Sequence, residues 1–110
     1  MDKPLIVVNF KTYETAMGDS ALTLAKAMDN FTDRDFRMIA VVSAFDLSTI
    51  SNSVSSVEVW SQHLDPVGKG SHTGWLEPDL ALHHGAVGTI INHAEPVSYT
   101  HLRAHETDYY

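Results

Sequence analysis

The sequence predicts an α/β fold in which helices cover a parallel sheet, and three observations carry that reading. Runs of strand length that are apolar on both faces recur along the chain. Segments of helical period separate them, and 44% of the 110 residues are hydrophobic, enough to build one core. A strand that is apolar on both faces needs cover on both, and the crossover helices of βαβ units supply it.

Leu5 to Asn9 (LIVVN) is the first such run. Residues 21–31 (ALTLAKAMDNF) then bring Leu22, Ala25 and Met28, with Ala21, Leu24, Ala27 and Phe31, to one helical face, and Asp19 or Ser20 is available as N-cap. Residues 38–42 (MIAVV) are the second run. After it, 45–51 (FDLSTIS) reads as a short helix or helical turn, weakened by serines and a threonine that compete for backbone hydrogen bonds. Residues 57–61 (VEVWS) are the third strand. A polar, Gly-rich loop leads to 78–84 (PDLALHH), a short helix with proline at its first position and Gly85 to close it. Residues 87–91 (VGTII) are the fourth strand. No repeat, low-complexity linker or charge run divides the chain before Val97, so 1–96 reads as one domain.

Composition narrows the function. Fourteen acidic side chains against seven basic ones leave a formal charge of −7, which opposes the phosphate-backbone contacts a nucleic-acid binder depends on. The absence of cysteine removes disulfides and thiolate metal sites and agrees with a cytosolic protein. The N-terminal apolar run is too short for a signal segment or a membrane span, so the cytoplasm is the expected location. The histidines include an adjacent pair, His83 and His84, a spaced pair, His101 and His105, and two on one loop, His63 and His72. They form no HExxH pattern and spacing places no third ligand, so no metal is expected. The loop GKGSHTG lacks the phosphate-cradling pattern GxxxxGK followed by Ser or Thr.

In α/β proteins, functional side chains gather on the loops that follow strand C-terminal ends. Asn9 and Lys11 follow the first strand; Gln62, His63 and Asp65 follow the third; Asn92, His93 and Glu95 follow the fourth. Taken singly these are ordinary residues: a solvated loop lysine, a polar residue at a strand end. Three ordered motifs give them a role. NFKTY at 9–13, SQHLDPVGKGSHTG at 61–74 and GAVGTIINHAE at 85–95 together resemble the triosephosphate isomerase family, most closely its archaeal-type branch. The resemblance covers residues 4–95 and implies the N-terminal half of a TIM (β/α)8 barrel, four of eight βα units in a fold of roughly 250 residues.

The resemblance also implies a chemistry, the glycolytic and gluconeogenic interconversion of dihydroxyacetone phosphate and glyceraldehyde 3-phosphate through an enediolate, with no cofactor. Lys11 resembles the family's substrate-binding lysine, whose ammonium meets the phosphate and the developing enediolate, and Asn9 the asparagine that positions it. His93 resembles the electrophile. The family is itself a standard illustration of such tuning, in which a neutral imidazole polarises the carbonyl while a glutamate removes the proton. Glu95 resembles a carboxylate near the lysine rather than that base. Thr73 belongs to a loop that enters a neighbouring subunit's site, which implies a homo-oligomer, a dimer or tetramer. Asn92 is the residue of the archaeal-type branch, whereas Ala94 stands where the family usually has serine.

The resemblance stops near Pro96, and 97–110 reads as a tail outside the family, disordered or foreign to the gene. No residue matches the catalytic base, since Glu14, Glu58, Glu77 and Glu106 fall at other positions. The 110-residue chain is therefore expected to be inactive or nearly so, and its open sheet edges make it marginal, aggregation-prone or prone to pair as half-barrels. Two alternatives remain at this point: a non-catalytic half-barrel that serves binding or assembly, and another (β/α)8 isomerase of phosphorylated sugars, against which NFKTY and SHTG argue.

Overall fold

Leu5–Asn9, Arg37–Val42 and Glu58–Ser61 run extended as β1, β2 and β3 and pair in parallel in the order β1-β2-β3. The computed structural model describes residues 4–31 and 35–91. The register sets Val7 against Ile39 and Asn9 against Val41, and Val41 in turn against Trp60. Three helices follow the strands: α1 (Gly18–Phe31), α2 (Leu47–Ser51) and α3 (Pro78–His83), with a 3-10 turn at Glu14–Ala16.

The core lies between one sheet face and the helices. Ala40, Val42, Val57 and Val59 meet Ala21, Ala25 and Met28 of α1 and Leu47 and Ile50 of α2. Along α1 the buried row is 21, 25, 28, a spacing of one helical turn per step. Ala27 and Phe31, expected on this face, are exposed. At 100° per residue Ala27 lies far round the helix from Ala25, so the sheet cannot reach it. The N-cap also differs from expectation. The helix begins at Gly18, ahead of both Asp19 and Ser20, and Gly18 N–H donates to Asp46 Oδ2 at 3.0 Å across the fold. Asp19 instead sits in the first turn, where its charge favours the helix dipole.

α3 starts as the sequence indicates, with Pro78 in its first turn. Glu77 caps it by accepting from Asp79 N–H (2.8 Å) and Leu80 N–H (3.0 Å). Gly85 follows at φ +102°, where a side chain would be strained and a Cβ would collide with Ser51.

The fourth strand is a correction. Residues 87–91 lie beside β3, with Val87 N–H donating to Val59 O and Ser61 N–H to Gly88 O, both at 3.0 Å, but only Thr89 forms a bridge, to Ser61. Gly88 breaks the β-branched run there, and the Trp60 ring lies against it so closely that a Cβ would sit 2.5 Å from Cε2. Glycine is thus required where it also weakens the strand. β1 departs from expectation too: Leu5, Ile6 and Val7 are 50%, 42% and 48% exposed, because β1 has a paired neighbour on one side only among the described residues.

Two polar ties lock the strand starts. Arg37 Nε and Nη2 donate to the two Glu58 carboxylate oxygens at 2.7 and 2.8 Å, a bidentate pair between β2 and β3 that holds Glu58 below its usual range. Asp29, near the end of α1, accepts from the N–H groups of Ser55, Ser56 and Val57 at 3.1, 2.7 and 2.9 Å and so fixes the turn into β3. Partial burial pushes the Asp29 pKa up, but the Val57, Ser56 and Ser55 donors outweigh it and the net shift is downward.

A lowered folded-state pKa contributes stability that is complete above the unfolded value and is lost as pH falls through the folded one. Asp29→Ala should therefore cost about 1–2 kcal/mol at pH 7, the scale of a lost cap. Urea titrations of both proteins at pH 7 and at acid pH below the ordinary Asp value of 3.8 should show that cost shrinking. A cost that is independent of pH would mean the carboxylate charge is irrelevant.

Candidate active site

The C-terminal edge of β1 turns sharply as soon as the strand ends. Phe10 extends the ladder by one step, its N–H donating to Val41 O at 2.9 Å, and its ring is buried in the core. The next residue, Lys11, has φ +53°. A non-glycine side chain in this left-handed region is uncommon and costs on the order of 1 kcal/mol or more unless its surroundings fix it.

Two side chains fix it. Asn9 Oδ1 accepts Lys11 N–H at 2.9 Å, the two-residue reach by which asparagine closes a turn on its own backbone. Gln62 Nε2 donates to Lys11 O at 2.8 Å from the far side of β2. The peptide groups on either side of the lysine Cα are thereby held, with the residue half-buried at the sheet edge. A lysine whose backbone is held this way can meet an anion or stabilise an oxyanion without first losing backbone freedom.

The structure thus brings Asn9, Lys11 and Gln62 together. Thr73 is exposed on the loop after β3, whose base is closed by Asp65. Asp65 N–H donates to Leu76 O at 2.8 Å, Asp65 Oδ2 accepts Leu76 N–H at 2.7 Å, and Oδ1 meets His63 Nε2 at 2.8 Å. Farther along, Gly68 O meets His72 Nδ1 at 2.9 Å, and Lys69 pairs with Asp79 at 3.1 Å. His93 and Glu95, the expected electrophile and its neighbouring carboxylate, lie outside the described residues, as does Asn92.

Gln62 is the member that sequence reasoning left without a role. Its signal was its place directly after a strand; its partner, 51 residues earlier in the chain, gave none.

A cavity of about 360 Å³ opens between the start of α2, the loop after β3 and α3, lined mainly by apolar groups including Leu64, Trp75 and Leu80, with Phe45 98% exposed at its side. Neither Asn9 nor Lys11 lines it, so it is separate from the lysine turn. Among the described residues no group of three or more His, Asp or Glu side chains is arranged to hold a metal ion. No helix among them is long and apolar enough to cross a membrane.

Three parallel strands with helices between them, and a polar cluster at the strands' C-terminal edge, define part of a (β/α) barrel. A crystal structure of triosephosphate isomerase from Bartonella henselae superposes with a TM-score of 0.79 over 90% of this chain and 42% of that one, at 22% identity. That likeness establishes the fold. In sequence, the chain is 40% identical over 92 residues to a triosephosphate isomerase from Archaeoglobus fulgidus, covering 83% of this chain and 41% of the relative. It is 38% identical over 96 residues to that of Methanothermus fervidus (86% and 43%), and 35% over 109 residues to that of Saccharolobus solfataricus (98% and 46%). The triosephosphate isomerase family profile matches residues 4–108. The chain belongs to the triosephosphate isomerase family. It spans less than half the length of these relatives. The profile and the Saccharolobus alignment both reach past Pro96, into the segment that the motifs place outside the family; the other two alignments are shorter.

The clamp on Lys11 makes a stability prediction. Asn9→Ala should lower stability by about 1 kcal/mol through the lost acceptor. Lys11→Gly should leave stability unchanged or raise it by up to about 1 kcal/mol, since glycine takes positive φ without steric cost. Chemical unfolding of the three proteins checks both, and a Lys11→Gly variant weakened like any glycine in extended chain would place Lys11 at negative φ.

Proposed function

We propose that this chain supplies the first half of a triosephosphate isomerase active site, with dihydroxyacetone phosphate and glyceraldehyde 3-phosphate as the interconverting substrates. The observation that carries the reading is the left-handed turn at Lys11, held by Asn9, inside a chain of this family. In this reading the Lys11 ammonium attracts the substrate phosphate and steadies the negative charge that develops on the enediolate oxygen. The His93 imidazole, as a neutral donor, polarises the substrate carbonyl, and Glu95 is a carboxylate that orders the lysine's surroundings. A base must take the proton from the carbon next to the carbonyl and return it to the neighbouring carbon. No residue of this chain matches that base.

No cofactor, a cytoplasmic location and a homo-oligomer contact through the Thr73 loop follow from the same assignment; the division into a 1–96 partial-barrel domain and a separate 97–110 rests instead on the break in the motifs near Pro96, past which the family profile continues. The exposed Leu5, Ile6 and Val7 of β1, which has a paired strand on one side only among the described residues, favour a second reading, a half-barrel that acts by assembly.

Purified chain should turn over triose phosphate at least about 10²-fold more slowly than a complete enzyme, because a positioned general base alone is worth about 10² to 10⁴. Inorganic phosphate should nevertheless perturb the Lys11 resonances, and Lys11→Met should abolish that response. Turnover close to a complete enzyme's would refute the missing-base account. No phosphate response, together with concentration-dependent self-association, would favour the assembly reading.

A further inference from the structure

We propose that Gln62 is a positioning residue for Lys11: its amide acts across the sheet to hold the lysine backbone in the left-handed turn that aims the ammonium. This rests on the assignment of Lys11 to the anion site, and it adds a residue to which no role has been given above.

Gln62 follows β3, while Lys11 follows β1, with β2 between them. Its own backbone is fixed, since Gln62 N–H donates to Val42 O at 3.0 Å, where β2 ends. The preceding residue, Ser61, is buried and anchored as well, its Oγ donating to His63 O at 2.8 Å and its carbonyl accepting from Thr89 Oγ1 at 2.9 Å. From that base the side chain spans toward β1 and meets Lys11 O at 2.8 Å. A carbonyl only accepts, so the amide nitrogen is the atom that faces it. Glutamate of the same length would set an oxygen against an oxygen, and asparagine is one methylene shorter. Asn9 holds the Lys11 N–H and Gln62 the Lys11 C=O, so both backbone polar groups of the strained residue are engaged. Without the second tie the Lys11 carbonyl is released, the turn can relax toward negative φ, and the Cα–Cβ bond from which the ammonium extends is re-aimed.

The test uses the full 110-residue chain, labelled with ¹³C and ¹⁵N, as wild type, Gln62→Met and Gln62→Glu. The Lys11 Cα and carbonyl shifts report the sign of φ, and a titration with inorganic phosphate reports the aim of the ammonium. In wild type the shifts should be those of a left-handed residue. In both variants they should move toward negative φ, and phosphate affinity should fall roughly fivefold, the scale of one neutral hydrogen bond. Beside Lys11→Gly, where positive φ carries no steric cost, Gln62→Met should shift the urea midpoint less than it does beside lysine. Should Gln62→Met fail to fold, restored folding of the Lys11→Gly, Gln62→Met double variant supports the clamp, and continued failure overturns it. Unmoved Lys11 shifts in both variants, or equal costs of Gln62→Met in both backgrounds, also overturn it. A wild type with left-handed Lys11 shifts but no phosphate response defeats the isomerase assignment, while the shifts and the double-variant comparison still decide the role of Gln62.

Discussion

Burial of β2 sets the arrangement on which the rest depends. Ile39, Ala40, Val41 and Val42 have no exposed surface, so their backbone N–H and C=O groups have no water to turn to. Both neighbouring strands must take up those groups in register, and in a parallel sheet that requirement runs to the last residue of each strand. Its effect reaches past the strand ends. Val41 O takes Phe10 N–H and Val42 O takes Gln62 N–H, at 2.9 and 3.0 Å. The segments that carry Lys11 and Gln62 are therefore delivered to one edge by the ladder of the strand between them, and the polar clamp forms on that alignment.

Acidic side chains do much of the remaining work. Asp29 receives three N–H groups at the entry to β3, Asp46 one at the start of α1, Asp65 one at the base of the long loop, and Glu77 two at the start of α3. Asp29, Asp46 and Glu77 lie where a helix or strand begins and leaves donors without a partner of its own, and Asp65 closes a loop. A carboxylate suits such places because it only accepts and has room for several donors. Part of the acidic excess that counts against nucleic acid is thus committed to backbone N–H groups inside the fold.

This division of labour explains what the sequence disclosed. β1 and β2 were legible because unbroken apolar runs need nothing but themselves, β3 because it is a short run rich in β-branched and aromatic residues, and α3 because Pro78 and Gly85 mark its ends locally. The start of α1 was not, since its cap is Asp46, 28 residues away from Gly18. Phe31 was misplaced because periodicity says which residues share a face, not how far the sheet extends beneath it. The fourth run kept its place but not its ladder, since Gly88 yields to the Trp60 ring, a contact between segments that no local pattern records. Within the site, Asn9 and Lys11 were found through motif resemblance. The handedness of Lys11 was hidden, because lysine is not a residue that announces positive φ, and only the asparagine two places before it hints at the turn. Gln62 showed its position and concealed its partner.

A net charge of −7 does not conflict with the phosphorylated substrate proposed for this chain. Charges farther than about 8–10 Å through solvent are largely screened at physiological ionic strength, whereas an ammonium about 4 Å from a phosphate oxygen gains about 4 kcal/mol at an effective dielectric near 20. The sum of charges therefore says little about one contact, provided that contact is short and its geometry persists. Persistence is what a strained backbone supplies when it is tied from both sides. With its backbone N–H and C=O both engaged, Lys11 has less backbone freedom to lose when an anion arrives. The acidic groups that order the loops are occupied by N–H donors, and a donor dipole aimed at a carboxylate offsets part of its field. Under the proposed function, local preorganisation of the Lys11 backbone, rather than a broad positive surface, is what would suit this chain to a small phosphorylated substrate.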